Sequence, residues 1–236
     1  MAVKVAKTDF KKILNSEDIR LGAMFAELIG TFVLTCTILV TSTDGTVNTL
    51  IAVLAYLIMW LVISQLSGSH MNPAVTLGLL SVKQITPVKA MGYIIAQVIG
   101  AILALIIVMQ FLAANPLAAG VTPFEITGLT DQSWLPVLSQ FMGALVFGFG
   151  IGSVFLGKKQ GFDAAFTAGG SFLIGLLIAS IGSAAILNPA VAIGVNAFTN
   201  NWSTLVYAVA PLIGIAIGIW GYKALLWEVT STKAKN

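Results

Sequence analysis

Asn72-Pro73-Ala74-Val75-Thr76-Leu77-Gly78 returns in the second half of the chain as Asn188-Pro189-Ala190-Val191-Ala192-Ile193-Gly194, identical at five of seven positions and offset by 116 residues. Asn followed by Pro is a helix start. The Asn side chain caps exposed backbone N–H groups, and Pro fits the first helical position, where its missing donor costs nothing. A single copy would read as an ordinary cap. Two copies, each set between long apolar spans, point to an organised repeat.

The spans follow from composition. The 236 residues are 58% hydrophobic and only 9% charged, with a mean hydropathy of +0.97. Soluble domains carry about 25% charged residues. So few charges could not cover a globular core with a hydrated surface, so the expectation is an all-α membrane protein. Its 23 glycines suit close helix packing in lipid. The single cysteine, Cys36, lies inside an apolar span, which excludes an intrachain disulfide. No cleavable leader is read at the start, and residues 1–20 form a basic cytoplasmic segment. Within it Phe10, Ile13 and Leu14 share a face should it dock as an interfacial helix.

Six membrane spans are predicted, at about 21–41, 49–66, 88–112, 135–156, 164–181 and 203–226, with a polar turn at Asp44, Gly45 and Asn48. Each Asn-Pro string opens an apolar stretch too short to cross a hydrocarbon core, which needs about 20 helical residues. These stretches, from Asn72 to about Leu80 and from Asn188 to about Phe198, read as re-entrant half-helices. A bilayer tolerates such elements only where they are buried in protein or line water.

Two further matches support a duplication. Glu27-Leu28-Ile29-Gly30 parallels Gln140-Phe141-Met142-Gly143 at an offset of 113, and Tyr93…Gly100 parallels Tyr207…Gly214 at 114. Repeat one covers about 21–112 and repeat two about 135–227, together one channel domain of residues 21–227 followed by a tail, 228–236. Three spans per repeat is an odd number, so the second repeat inserts upside down. All twelve Lys and Arg then fall on one side, while Asp44, Glu125 and Asp131 occupy the other. The positive-inside rule makes both termini cytoplasmic.

Inverted repeats bring the two half-helices in from opposite faces, so Asn72 and Asn188 should meet near the midplane. Each helix N-terminus carries about half a positive charge and unsatisfied N–H groups. Two such ends facing each other penalise protons and other cations and leave neutral molecules free to pass. The Asn amides offer donors to a passing oxygen. These features point to a channel for small neutral polar solutes.

Ala26-Glu27-Leu28-Ile29-Gly30-Thr31-Phe32, the stretch Ser67–Thr76, Ala96-Gln97-Val98-Ile99-Gly100-Ala101 and the second Asn-Pro-Ala all resemble signatures of the aquaporin, or major intrinsic protein, family. The resemblance covers about residues 21–227. It implies a homotetramer in the lipid bilayer with one pore per subunit and no cofactor or metal. By the same match Asn72, Pro73, Ala74, Asn188, Pro189 and Ala190 form the central constriction. Glu27 should accept hydrogen bonds and brace the first re-entrant loop, His70 should help set that loop's backbone, and Gln140 should brace the second.

The departures from the family bear on selectivity. The family usually has Arg directly after the second Asn-Pro-Ala, where this chain has Val191. Counted without gaps, the other filter positions are Ala52, Leu176 and Ala185; a one-turn shift would put Tyr56 in place of Ala52. Such a filter is apolar and widened, and glycerol, urea or ammonia could accompany water. Gln140 stands where the second half usually has Glu, and a neutral amide is cheaper to bury. The alternatives are a gated, non-conducting or structural membrane protein, which an apolar constriction would fit by dewetting, and a coupled secondary transporter. Coupling calls for intramembrane ionisable groups, and Glu27 alone qualifies. No nucleophile–base set, metal cluster or phosphate loop points to an enzyme, and nothing points to nucleic acid.

Overall fold

The computed structural model describes residues 20–41, 45–115 and 134–233, with the backbone alone at 45–47 and 233. The basic leader up to residue 19, Asp44, the loop acids Glu125 and Asp131, and Lys235 lie outside the described residues. The helices are α1 (Leu21–Val40), α2 (Gly45–Ser67), α3 (Pro73–Ser81), α4 (Pro87–Ala114), α5 (Leu135–Leu156), α6 (Gly161–Ala179), α7 (Pro189–Gly194), α8 (Asn201–Thr204) and α9 (Ala210–Lys233). A π-helical turn, Leu205–Val209, joins α8 to α9 into one run. No strand occurs among the described residues. Six elements are long and apolar enough to cross a bilayer: α1, α2, α4, α5, α6 and the α8–α9 run.

Several boundaries differ from the sequence reading. α2 begins at Gly45, so Asn48 is a buried helical residue and not part of a turn. α7 stops at Gly194, four residues short of Phe198. Asn196 takes a left-handed φ of 55°, and Ala197 N bonds back to Ala192 O at 2.8 Å, closing the helix. The last span runs on to Lys233 instead of ending at Leu226. Its π turn has a local cause. Pro211 supplies no N–H and its ring crowds the carbonyl four residues back, so the preceding turn widens and Ala210 N bonds to Leu205 O.

The packing crosses between repeats. α1 packs on α4 and α2, and α5 packs on α9 and α6. The half-helix α3 of the first repeat lies against α9 of the second, and α7 of the second lies against α4 of the first. Glycine permits both approaches. A Cβ on Gly78 would stand 2.7 Å from Ile219 Cδ1, and one on Gly194 would meet Thr35 Cγ2 and stand 3.0 Å from the Ala101 carbonyl. Each half-helix is thus clamped by the other repeat's third span, and this fixes where the two Asn-Pro ends lie.

Candidate functional site: the meeting point of two half-helices

Both Asn residues cap their own helices. Asn72 Oδ1 accepts Ala74 N at 2.8 Å, and Asn188 Oδ1 accepts Ala190 N at 3.0 Å and Val191 N at 3.4 Å. Pro73 and Pro189 occupy the first helical position of α3 and α7. The two ends are then tied to each other. Asn72 Nδ2 donates to the Leu187 carbonyl at 2.9 Å, and Asn188 Nδ2 donates to the Met71 carbonyl at 2.8 Å. An amide nitrogen has two hydrogens, so each Asn keeps one donor beyond this reciprocal lock. Half of the donor capacity of the two amides is thus spent on the lock.

The acceptors in the lock come from an unfavourable backbone. Met71 and Leu187, each directly before its Asn, have φ of 48° and 52°. This left-handed conformation costs a residue with a Cβ about 1–2 kcal/mol. It aims each carbonyl at the opposite repeat. Strain of this kind persists only where the surrounding structure over-determines it. Nothing in the identities of Met and Leu signals it, and the sequence reading missed both residues.

The first loop is held by a fully buried polar network. Glu27 accepts His70 N at 2.9 Å on one oxygen, and Met71 N at 2.6 Å and Gln97 Nε2 at 2.8 Å on the other. Gln97 Nε2 also donates to Thr76 Oγ1 at 3.1 Å. Thr76 Oγ1 lies 3.1 Å from the Asn72 carbonyl and 3.1 Å from His70 Nδ1, joining the helix start to the His70 ring. The His70 ring packs edge-on to Tyr93 and Phe155, and Tyr93 Oη donates to the Ser67 carbonyl at 2.7 Å. Thr76, Gln97 and Tyr93 were not singled out from the sequence, although a buried Gln inside an apolar span was a readable signal.

The second loop is held differently. Gln140 Oε1 accepts Leu187 N at 3.3 Å, while its Nε2 donates to Ser183 Oγ at 3.0 Å and to the Ala184 carbonyl. An amide suits this place because it must both accept and donate; a carboxylate would face the Ala184 oxygen with no proton between. By the repeat offsets, Ile186, Ala192 and Pro211 stand where the first half has His70, Thr76 and Gln97. None of these three positions carries a polar side chain in the second half.

Of the counted filter positions, Ala52, Leu176 and Val191 are buried and Ala185 is half-buried. One turn beyond Ala52, the Tyr56 ring lies tilted by 43° against Phe172, centroids 4.9 Å apart, and edge-on to Phe147 at 5.8 Å. Its hydroxyl is buried with no protein partner among the described residues. No group of three or more His, Cys, Asp or Glu that could hold a metal occurs among the described residues.

Six membrane-competent spans with two half-helices locked end to end inside them define a multi-pass integral membrane protein of the re-entrant-loop channel class. Residues 46–222 match the family described as Major intrinsic protein, and the chain belongs to that family. Its members are passive channels and not enzymes. The chain is 32% identical over 203 residues to Glycerol uptake facilitator protein-like 6 of Lactiplantibacillus plantarum, covering 80% of this chain and 91% of that protein. It is 30% identical to Aquaporin AqpM of Methanothermobacter thermautotrophicus, over 70% of this chain and 71% of the relative. The solved aquaglyceroporin from Plasmodium falciparum shares the fold, with a TM-score of 0.66 over 90% of this chain and 99% of that one at 22% identity.

Proposed function

We propose that the protein conducts water together with small uncharged solutes of glycerol size through a pore passing the locked Asn72 and Asn188. The observation that carries this is the reciprocal lock, with Asn72 bound to Leu187 and Asn188 to Met71. It holds two helix N-termini face to face and leaves one amide donor on each. Two half-charges about 4 Å from a monovalent cation raise it by about 4 kcal/mol in total at an effective dielectric of 20. A neutral solute meets no such barrier. The relative named a glycerol uptake facilitator supports the solute class.

The filter assigned to Ala52, Leu176, Ala185 and Val191 offers no charge and no side-chain donor, so it selects by width alone. The unpartnered hydroxyl of Tyr56 is the polar group we assign to the permeant one turn deeper. In this reading Glu27 and His70 brace the first loop and Gln140 the second. The channel sits in the cell membrane with both termini cytoplasmic, as a homotetramer with one pore per subunit.

Liposomes carrying the purified protein test this by light scattering after osmotic jumps. Shrinkage in sucrose should be fast, and re-swelling in glycerol should be fast as well. Fast shrinkage with slow re-swelling would mean a pore that stays narrow despite Val191. No rate above that of empty liposomes would refute conduction.

A further inference from the structure

A cavity of about 740 Å³ opens between the start of α1, the turn after α3 and the start of α4. Arg20, Lys83 and Lys89 line it, with Gln84, and its described lining residues include no carboxylate. Lys89 Nζ lies 5.3 Å from the centre of the Tyr93 ring, and none of the three cations is paired with an acid among the described residues. A second, apolar groove of about 220 Å³ continues from it. Leu80 and Pro87 line both, so the two spaces share a wall. The groove runs along α4 past Met91, Ile94 and Ile95, with Leu77 on its other side. Met91 is 61% exposed and Ile95 53%, on a helix that crosses the bilayer.

We propose that cavity and groove form one site for an anionic glycerophospholipid, with the phosphate among Arg20, Lys83 and Lys89 and an acyl chain along Met91 and Ile95. Charge and shape select this occupant together. Three cations with no acid partner among the described residues, at the water–lipid boundary, attract an anion. A free phosphate has no use for the apolar groove. A zwitterionic lipid brings its own cation into a pocket that already holds three. Lys83 also occupies an awkward place. It sits just past the end of α3 with φ 63°, its N bonded to Leu80 O at 3.0 Å while Gln84 N bonds to Leu79 O at 2.9 Å, a helix stop whose unstrained residue is glycine. Lys158, at φ 56°, ends α5 in the same way but lines neither space.

The test is lipid titration of the full-length protein in detergent, followed by native mass spectrometry. Dioleoylphosphatidylglycerol should bind more tightly than dioleoylphosphatidylcholine. Arg20→Gln with Lys83→Gln should weaken phosphatidylglycerol binding roughly 30-fold, about fivefold per cation removed. Lys158→Gln with Lys159→Gln removes the same charge elsewhere and should change it little. Met91→Trp fills the groove from its exposed side and should weaken both lipids. Lys83→Gly guards against a folding artefact: it should bind phosphatidylglycerol about fivefold less tightly while melting no lower in detergent. Equal binding of the two lipids, or equal loss in the Lys158/Lys159 pair, would overturn the proposal. So would displacement of the lipid by sodium phosphate with no effect of Met91→Trp, which would mean a site for a free anion.

Discussion

Replacing Glu27 by Gln keeps the shape of the side chain and removes its charge and one acceptor. The two native oxygens receive His70 N at 2.9 Å, Met71 N at 2.6 Å and Gln97 Nε2 at 2.8 Å. A Gln accepts at only one of those two oxygen positions. With its oxygen toward Met71 and Gln97, its NH₂ group meets the His70 N–H donor to donor, and both lack an acceptor. Each orphaned buried donor costs about 1–3 kcal/mol, so the loop loses about 2–6 kcal/mol. Against this, the folded chain no longer buries a carboxylate, a saving of several kcal/mol that softens the effect on global unfolding. The damage is therefore local. Glu27→Gln should fold, with amide hydrogen exchange at His70 and Met71 accelerated at least about 30-fold, the factor that 2 kcal/mol of easier opening produces. Water permeability per protein should fall with it, because Met71 supplies the carbonyl that holds Asn188. Exposed Glu228→Gln removes the same charge and should change neither reading. Unchanged exchange across residues 67–76 in Glu27→Gln would refute the assignment of the carboxylate as the brace.

Other expectations follow from the same geometry. Gln140→Glu turns two donor contacts into an oxygen facing the Ala184 carbonyl, and thermal unfolding in detergent should come earlier by the equivalent of about 2–4 kcal/mol. Gly194→Ala places a methyl against Thr35 and the Ala101 carbonyl, so it should destabilise by about 1–3 kcal/mol and slow water flux, whereas Gly22→Ala, open on all sides, should do neither. Asn188→Asp keeps the helix cap, cuts the bond to Met71 and sets a negative charge between the two positive ends; cation leak into liposomes under a potential should rise.

Much of this arrangement could be read from the sequence because it rests on local rules. The Asn-Pro starts, the apolar spans and the rare acid Glu27 are each visible in a window of a few residues. The rest depends on partners distant in the chain. Met71 and Leu187 have side chains that disfavour a positive φ, and only the facing Asn of the other repeat explains it. Thr76 reads as an ordinary helical residue until Gln97 and His70 are placed on its hydroxyl. The end of α7 was overrun because Val195 continues the apolar run. Asn196, a residue that tolerates the left-handed turn, was the available signal. Pro211 was the available signal for the π turn before it, and the sequence reading did not use it.

The two departures from the family pattern are of opposite sign and belong to the same half. By the family resemblance, Glu and Arg are expected where this chain has Gln140 and Val191. Losing either charge alone would forfeit its attraction to the other and change the net charge of the interior. Losing both leaves the charge of the interior unchanged, with Glu27 alone beside two half-positive helix ends. The substitutions should therefore be coupled. Val191→Arg alone inserts a cation at a position that is 1% exposed, and should destabilise strongly while it restricts glycerol. Adding Gln140→Glu should recover part of that loss. Two unit charges on the order of 10 Å apart attract by about 1–2 kcal/mol at an effective dielectric of 20, the size of coupling to be resolved. Unfolding of the two single variants and the double variant in detergent measures this as a double-mutant cycle. Additivity within about 0.5 kcal/mol would mean that the two sites lost their charges independently. A favourable coupling with restored glycerol exclusion would mean that selectivity in this half of the pore is set by two residues that change together.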